Sequence, residues 1–234
     1  MKNILYFWFF PRRCLQCGRV IAARSFYCEG CREKMPFVGE ERCEKCGCEL
    51  QFCHCGQKSK HYDAVLAPFY YTGSAKKAVL KAKRYPIYAE PLAAECAKVF
   101  ERYYGSIPFD FVCAVPMSRA RRHGSGFNHS SALAKELADR LELPFYDCLK
   151  VVGEGAPQHT LPSASRSGNV RGMYDVEDES ILKDKTVLLA DDIKTSGATL
   201  DECALMLRLN GAKAVYALCA CVAKEEYPRK EERK

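Results

Sequence analysis

Two adjacent carboxylates, Asp191 and Asp192, separate an apolar run at 187–190 from a loop of small and hydroxyl-bearing residues. The uniformly apolar run predicts a central buried strand that ends at the two aspartates. The loop leads into a helix-like stretch and comprises Lys194, Thr195, Ser196, Gly197, Ala198 and Thr199. Small residues let backbone N–H groups converge, hydroxyls add donors, and a helix N-terminus adds partial positive charge. The loop is therefore a predicted phosphate cradle.

The two carboxylates indicate what lies beside that phosphate. A carboxylate only accepts hydrogen bonds and repels a phosphate, so Asp191 and Asp192 are expected to face neutral hydroxyls further along the ligand. An ordinary helix cap would explain a single aspartate, but not a pair at the end of a buried strand. A phosphate next to a diol describes a ribose 5-phosphate.

A second loop, VPMSRARRHGSGF at 115–127, follows another strand-like run. It is basic and contains glycine, and its arginines are Arg119, Arg121 and Arg122. Guanidinium groups near backbone turns suit a diphosphate. The carboxyl ends of parallel strands meet at one edge of a sheet, so both loops are expected at the same cleft.

Eight cysteines near the start of the chain have the spacing of metal ligands. They form the pairs Cys14–Cys17, Cys28–Cys31, Cys43–Cys46 and Cys53–Cys55. Zinc accepts four tetrahedral thiolates, and such closed sites are structural. The pattern fits one or two zinc sites, paired sequentially or cross-braced. Cys48 and His54 are spare ligands for the second site.

Composition limits the remaining function classes. The chain has 234 residues and a formal charge of +7, which falls to about +3 if eight thiolates bind two zinc ions. Overall basicity is therefore weak evidence for nucleic-acid binding. No apolar run approaches the roughly 20 residues of a membrane helix. Unpaired cysteines and metal-type pairs predict a reducing, cytoplasmic location, and six cysteines in apolar stretches are predicted to be buried.

Strand-like and helix-like stretches alternate from Tyr62 onward, which predicts an α/β fold with a parallel sheet. We expect residues 1–60 to form a cysteine-rich zinc-ribbon module with a short N-terminal apolar helix. Residues 61–223 would form the α/β domain. Residues 224–234 form a charged tail with mixed signs.

Four stretches resemble a known family. They are FPRRCLQCG at 10–18, AVPMSRARRHGSGFNHS at 114–130, PQHTLPSASRSGNVRGMYDV at 157–176 and VLLADDIKTSGATL at 187–200. Through them the chain resembles the ComF family of GntX-like competence proteins, in which a double zinc ribbon precedes a type I phosphoribosyltransferase domain. The resemblance implies a parallel sheet with helices on both faces, and a site for phosphoribosyl pyrophosphate (PRPP) with Mg²⁺.

The resemblance also implies residue roles. Asp191 and Asp192 would be the catalytic pair that holds the ribose hydroxyls, and 195–199 would hold the 5-phosphate. The pyrophosphate loop would comprise Pro116, Met117, Ser118 and Arg119. A flexible hood over 153–172 would contribute Arg166 and Asn169. Ser125 stands where the family usually has an arginine, which weakens the expectation of catalysis more than that of binding.

Two function classes fit this pattern, and a third concerns partners. The first is a phosphoribosyltransferase acting on PRPP. The second is a non-catalytic protein that binds single-stranded DNA and keeps the PRPP site as a sensor or relic. Its DNA contacts would be Lys77, Lys81 and Arg84, which share one face of a predicted helix. The third is a docking protein for DNA-uptake partners through its zinc module.

Overall fold

The computed structural model describes residues 13–22, 26–53, 55, 59–117, 126–152 and 172–224. The strands are β1 (Ala64–Leu66), β2 (Phe69–Tyr70), β3 (Phe111–Ala114), β4 (Leu149–Val151), β5 (Tyr174–Val176), β6 (Thr186–Lys194) and β7 (Ala214–Val222). The helices are α1 (Glu29–Arg32), α2 (Gly73–Arg84), α3 (Ala89–Tyr104), α4 (His129–Leu141) and α5 (Ala198–Leu209). Short 3₁₀ turns lie at Leu50–Phe52, Pro86–Tyr88 and Glu179–Ile181.

Five of these strands form one parallel sheet in the order β1–β7–β6–β3, with β2 also paired to β7. The two longest strands, β6 and β7, lie at its centre. Their register places Leu189 opposite Ala217, and Cys113 of β3 opposite Leu189 on the other side. Central strands of a parallel sheet are covered on both faces, which explains their continuous apolar sequence. The predicted parallel α/β fold is confirmed.

Helices cover both faces of the sheet because alternate strand residues point to opposite sides. On one face, Leu188 and Ala190 pack in a core with helices α2, α3 and α4. On the other face, Val187 and Leu189 pack in a core with α5, the antiparallel pair β4–β5 and the second group of cysteines, which lies between Cys43 and Cys55. The first group of cysteines, between Cys14 and Cys31, packs beside α2 and α3. The two cysteine groups thus contact different cores.

The structure extends one predicted strand and divides another. Strand β6 does not end at the two aspartates, because Ile193 and Lys194 continue the ladder to Cys221 and Val222 of β7. The apolar stretch at 64–71, the first of the strand-like stretches after Tyr62, forms two strands, β1 and β2, which are separated by 67–68. Residue 68 is a proline, which has no N–H to donate to the ladder.

The remaining expectations about the chain concern buried cysteines and membrane helices. The six cysteines that follow residue 60 are all buried, as predicted, and are Cys96, Cys113, Cys148, Cys203, Cys219 and Cys221. Across the described ranges, no helix has both the length and the apolar character needed to cross a bilayer.

Candidate functional site

The acidic pair lies at the carboxyl end of the central strand β6. The side chain of Asp191 is buried. Its Oδ1 accepts a hydrogen bond from Ser130 Oγ at 2.7 Å and another from the Asp192 backbone N–H at 2.8 Å. Ser130 stands in the first turn of α4. The first turn of α4 therefore holds the buried Asp191 carboxylate in a fixed orientation.

Burial and charge perturb the ionisation of this pair. Burial, together with the neighbouring charge of Asp192, raises the pKa of Asp191 to about 7. The hydrogen bond from Ser130 opposes this shift, because it favours the ionised form. A buried carboxylate with a strongly perturbed pKa in a cleft is typical of functional sites. The ionised form of Asp191 would be stabilised by a ligand that donates hydrogen bonds to its carboxylate oxygens.

Lys83 of α2 pairs with the second carboxylate. Its Nζ lies 2.7 Å from Asp192 Oδ2, and the two side chains are 34% and 17% exposed. Lys83 therefore belongs to the cleft, although its sequence context shows only one more lysine in a basic helix. The helical period is the signal that could have found it, since Lys83 follows the buried Val79 by one turn and so borders the packed face.

The predicted phosphate loop turns sharply into α5. Gly197 caps the helix with a φ of +75°, in the left-handed region that favours glycine. A Cβ added there would lie 3.0 Å from Lys194 Cε and 3.2 Å from Tyr62 Oη. Thr195 and Ser196 are exposed. Backbone N–H groups at the start of a helix, with exposed hydroxyls before them, form an arrangement that can hold an anion.

Lys194 supports this loop from within the protein. It is only 5% exposed, and its Nζ donates to the Thr195 carbonyl at 3.2 Å. Tyr62, which contacts the same turn, donates its hydroxyl to the Lys45 carbonyl at 2.8 Å. The second group of cysteines therefore packs behind the phosphate loop. Lys194, predicted to be part of the cradle, holds its backbone instead.

The loop after β3 begins beside the acidic pair. Val115 N donates to the Ala190 carbonyl at 3.0 Å, and the Asn128 side chain donates to the Val115 carbonyl at 3.2 Å. Asn128 also caps α4, because its side chain accepts from the Ser130 backbone N–H. Pro116 and Met117 lie at this edge, whereas Ser118 and Arg119 fall outside the described residues, as do Ser125, Arg166 and Asn169. One asparagine thus joins the start of the pyrophosphate loop to the helix that orients Asp191.

His129 borders the same cleft. Its Nδ1 is buried and makes no hydrogen bond to any residue that the structure describes, and its ring packs edge-on against Phe127 at 4.8 Å. Burial lowers the pKa of His129, although the nearby Asp192 opposes that shift. At neutral pH the imidazole is therefore mainly uncharged, and it does not compete with Lys83 for the carboxylate.

The cysteine pairs assemble sequentially into two four-sulfur groups. The first comprises Cys14, Cys17, Cys28 and Cys31, and the second comprises Cys43, Cys46, Cys53 and Cys55. In each group the ligand atoms lie within 4.8 Å of one another. The sulfurs of Cys17 and Cys28 are 3.7 Å apart, close to the ~3.8 Å edge of a tetrahedron with Zn–S bonds of about 2.3 Å. Both groups therefore fit a structural zinc ion, and the cross-braced arrangement is not adopted.

The thiols show which side chains are ligands and which are not. Burial raises the pKa of Cys14, but backbone N–H groups of Cys17 and Cys28 outweigh it and lower that pKa to about 6. This favours the thiolate that zinc requires. Cys48 belongs to neither group, although its side chain contacts Cys46, and its sulfur lies 3.9 Å from the Ala223 carbonyl. His54 lies outside the described residues.

The first cysteine group, with the segment that follows it, holds helix α2. Gln16 Nε2 donates to the Ser74 carbonyl at 2.6 Å, and Ser74 Oγ donates to the Lys34 carbonyl at 3.1 Å. Lys81 Nζ donates to the Leu15 carbonyl next to Cys14. The three residues predicted to contact DNA, Lys77, Lys81 and Arg84, are all exposed, and Lys81 also contacts the zinc module.

Comparison with known proteins assigns both parts of the chain. Residues 5–63 match the double zinc ribbon domain model, and residues 128–234 match the phosphoribosyl transferase domain model. Competence protein F of Haemophilus influenzae is 24% identical over 224 residues, which cover 88% of this chain and 95% of that protein. The chain is therefore a homologue of Competence protein F. It joins a double zinc ribbon to a phosphoribosyltransferase domain.

Other relatives match only in part. DNA utilization protein YhgH of Escherichia coli is 29% identical over 113 residues, so this chain spans about half of that relative, 49% of its length. Adenine phosphoribosyltransferase from Saccharomyces cerevisiae is 16% identical, with a TM-score of 0.39 over 62% of this chain and 73% of that chain. A TM-score this low carries no argument about the chain beyond what the two family models show.

Proposed function

We propose that the cleft at the carboxyl ends of β3 and β6 binds PRPP with Mg²⁺. The observation that supports this most strongly is the arrangement around Asp191. The buried Asp191 carboxylate is oriented by Ser130 and lies beside Asp192. The phosphate loop, with Gly197 at the start of α5, follows the end of the same strand. Anion-binding backbone next to two hydrogen-bond acceptors matches a ligand that carries a phosphate at one end of a diol.

Each part of the cleft has a task in this proposal. Asp191 and Asp192 accept hydrogen bonds from the ribose hydroxyls. The backbone N–H groups at 196–199 donate to the 5-phosphate, and Lys194 keeps that turn in place from below. Asn128 holds the start of the loop over 116–119, where the diphosphate would lie.

The donor set also fits Mg²⁺. Carboxylate and phosphate oxygens are the hard ligands that this ion prefers, and it is usually bound through one or two carboxylates together with substrate phosphates. When bound, it would neutralise charge on the diphosphate. Transfer would break the bond between ribose C1 and the diphosphate and form a bond from C1 to a nucleophile. The protein mainly positions the ribose and stabilises charge in such a step.

We further propose that the protein acts in the uptake of DNA during natural transformation. Two of its relatives are named Competence protein F and DNA utilization protein. The fifteen free cysteines, of which eight form the two metal-type groups, favour a reducing cytoplasmic location. The zinc module, which contacts α2 and the phosphate loop, is a candidate docking surface for DNA-uptake proteins.

Calorimetry with Mg-PRPP tests the site. The variant Asp191→Asn/Asp192→Asn removes both charges and keeps the size of the side chains, and we expect it to bind at least tenfold more weakly, since each lost charged hydrogen bond is worth about 1.5–3 kcal/mol. Asp175→Asn is the matched control, because Asp175 is an exposed aspartate on β5 that pairs with Lys150. Equal affinity of the double variant and the control would reject the proposed site.

A second candidate function, binding of single-stranded DNA along α2, is favoured by the surface at its C-terminal end. Arg84 is exposed there, next to Tyr85 and Ile87, which are 53% and 76% exposed, and Lys77 is exposed nearer the start of the helix. Cations beside exposed aromatic rings are typical of single-strand binding surfaces. We expect Lys77→Ala/Arg84→Ala to weaken binding of an oligonucleotide and to flatten its salt dependence. Retained affinity with an unchanged salt slope would reject this surface.

A further inference from the structure

The ion pair between Lys83 and Asp192 connects helix α2 to the acidic pair of the cleft. The helix packs on the core through Ala75, Ala78, Val79 and Ala82, none of which depends on the lysine charge. Lys83 instead extends from the edge of that face to a carboxylate in the cleft, at 2.7 Å. The Lys83 side chain is about one-third exposed, so water is available as an alternative partner for its ammonium group.

The charges around this contact define its effect on a ligand. Asp191 and Asp192 bring two carboxylates together, and Lys83 is the cation that directly pairs with one of them among the described residues. The nearby His129, whose Nδ1 is buried, has a lowered pKa and supplies little positive charge at neutral pH. The ammonium group and the ribose hydroxyls are all donors that can bind the Asp192 carboxylate. A ribose hydroxyl that donates to Asp192 Oδ2 would take the oxygen that Lys83 Nζ contacts.

A displaced Lys83 has a suitable new partner close by. The cleft also contains the start of the loop after β3, where the diphosphate of PRPP would lie next to ribose C1. The helix backbone cannot follow the side chain, because the zinc module holds α2 through Gln16, Ser74 and Lys81. Movement is thus confined to the flexible four-carbon stem of the lysine, which carries a compact charge that suits a phosphate oxygen.

We propose that Lys83 is an exchanging cation of the cleft: it pairs with Asp192 before the ligand binds and with the diphosphate of bound PRPP afterwards. This inference rests on the proposed function, since it requires PRPP in the cleft. It gives the zinc ribbon a role in the chemistry of the second domain, because the first cysteine group fixes the helix from which Lys83 reaches the acidic pair.

Three ligands distinguish this role from a structural one. Ribose 5-phosphate offers the diol and the phosphate without a diphosphate, Mg-pyrophosphate offers only the diphosphate, and Mg-PRPP offers both. In Lys83→Met, we expect Mg-PRPP and Mg-pyrophosphate to bind about tenfold more weakly, because a charged hydrogen bond is lost. Ribose 5-phosphate should bind at least as tightly as before, because Asp192 no longer has a competing donor. Lys83→Arg should restore part of the diphosphate affinity.

Lys76→Met is the matched control, since Lys76 lies on the same helix and is exposed. It should leave all three affinities unchanged. Equal weakening of all three ligands in Lys83→Met would show a structural role and overturn the proposal, as would unchanged or tighter binding of Mg-PRPP. If the unaltered protein binds Mg-pyrophosphate and ribose 5-phosphate but not Mg-PRPP, or binds none of them, the proposed function itself fails and this inference fails with it. If the unaltered protein binds Mg-PRPP, but Lys83→Met does not weaken the diphosphate ligands more than ribose 5-phosphate, only the role of Lys83 is rejected and the proposed function stands.

Discussion

Replacement of the buried carboxylate by an amide, Asp191→Asn, should stabilise the protein at alkaline pH while it weakens ligand binding. The asparagine Oδ1 can accept the same two hydrogen bonds, from Ser130 Oγ and from the Asp192 backbone N–H. Its NH₂ group can face the Asp192 carboxylate without charge repulsion. The substitution therefore removes the cost of a buried charge and keeps the local hydrogen bonds.

The size of the effect follows from the pKa of Asp191, which is raised from 3.8 to about 7 in the folded protein. The unfolded chain loses this proton at lower pH than the folded protein, so the free energy of unfolding falls as pH rises from about 4 to 7. At 1.36 kcal/mol per unit, this amounts to roughly 2–3 kcal/mol between about pH 5 and pH 8. Asp191→Asn should lack that loss.

Urea unfolding at a series of pH values measures the difference directly. Both proteins contain the same cysteines, so the pH dependence of zinc binding cancels when the two curves are subtracted. Asp175→Asn serves as the control, because its side chain is 49% exposed and should leave the pH profile unchanged. If Asp191→Asn and the unaltered protein lose stability in parallel as pH rises, the electrostatic argument for the acidic pair is wrong.

Further predictions concern the zinc groups, the phosphate loop and the contact between the two domains. Elemental analysis should give two zinc ions per chain for Cys48→Ser and fewer for Cys46→Ser, because only Cys46 belongs to a four-sulfur group; equal zinc content in the two variants would contradict the ligand assignment. Gly197→Ala should cost about 1 kcal/mol or more in urea unfolding, because of its positive φ, and should weaken Mg-PRPP; unaltered unfolding would show that the turn tolerates a side chain. Glu95→Gln should lower the free energy of unfolding by about 1–3 kcal/mol, because the buried Glu95 pairs with Arg32 of the zinc module at 2.6 Å. An equal loss of stability in Arg32→Ala would support the ion pair, and no loss in either variant would argue against it.

The parts of the site that were predictable from sequence are local ones. The phosphate loop and the acidic pair are contiguous between Asp191 and Thr199, so residue type and order indicate an anion site before any fold is known. The cysteine pairs are equally local, and their spacing predicts the two groups that assemble. The sequence left the pairing open, because sequential and cross-braced sites use the same residues. Only the packing of each group on a different core selects one.

The missed contacts join segments that are distant along the chain. Ser130 reaches Asp191 across 61 positions, and Lys83 reaches Asp192 from a helix that precedes β3. Ser130 has no sequence signal for this contact, and the only signal for Lys83 is the helical period that places it at the border of the packed face of α2. The length of β6 was missed for a similar reason, since its last two residues are strand only because β7 continues beside them.

A crystal structure with bound Mg-PRPP tests the proposed site most directly. We predict ribose hydroxyls within hydrogen-bonding distance of Asp191 and Asp192, the 5-phosphate on the backbone N–H groups at 196–199, and Lys83 turned from Asp192 toward the diphosphate. Electron density for PRPP elsewhere on the protein, or a cleft without ligand at concentrations that saturate binding in solution, would contradict the proposed site.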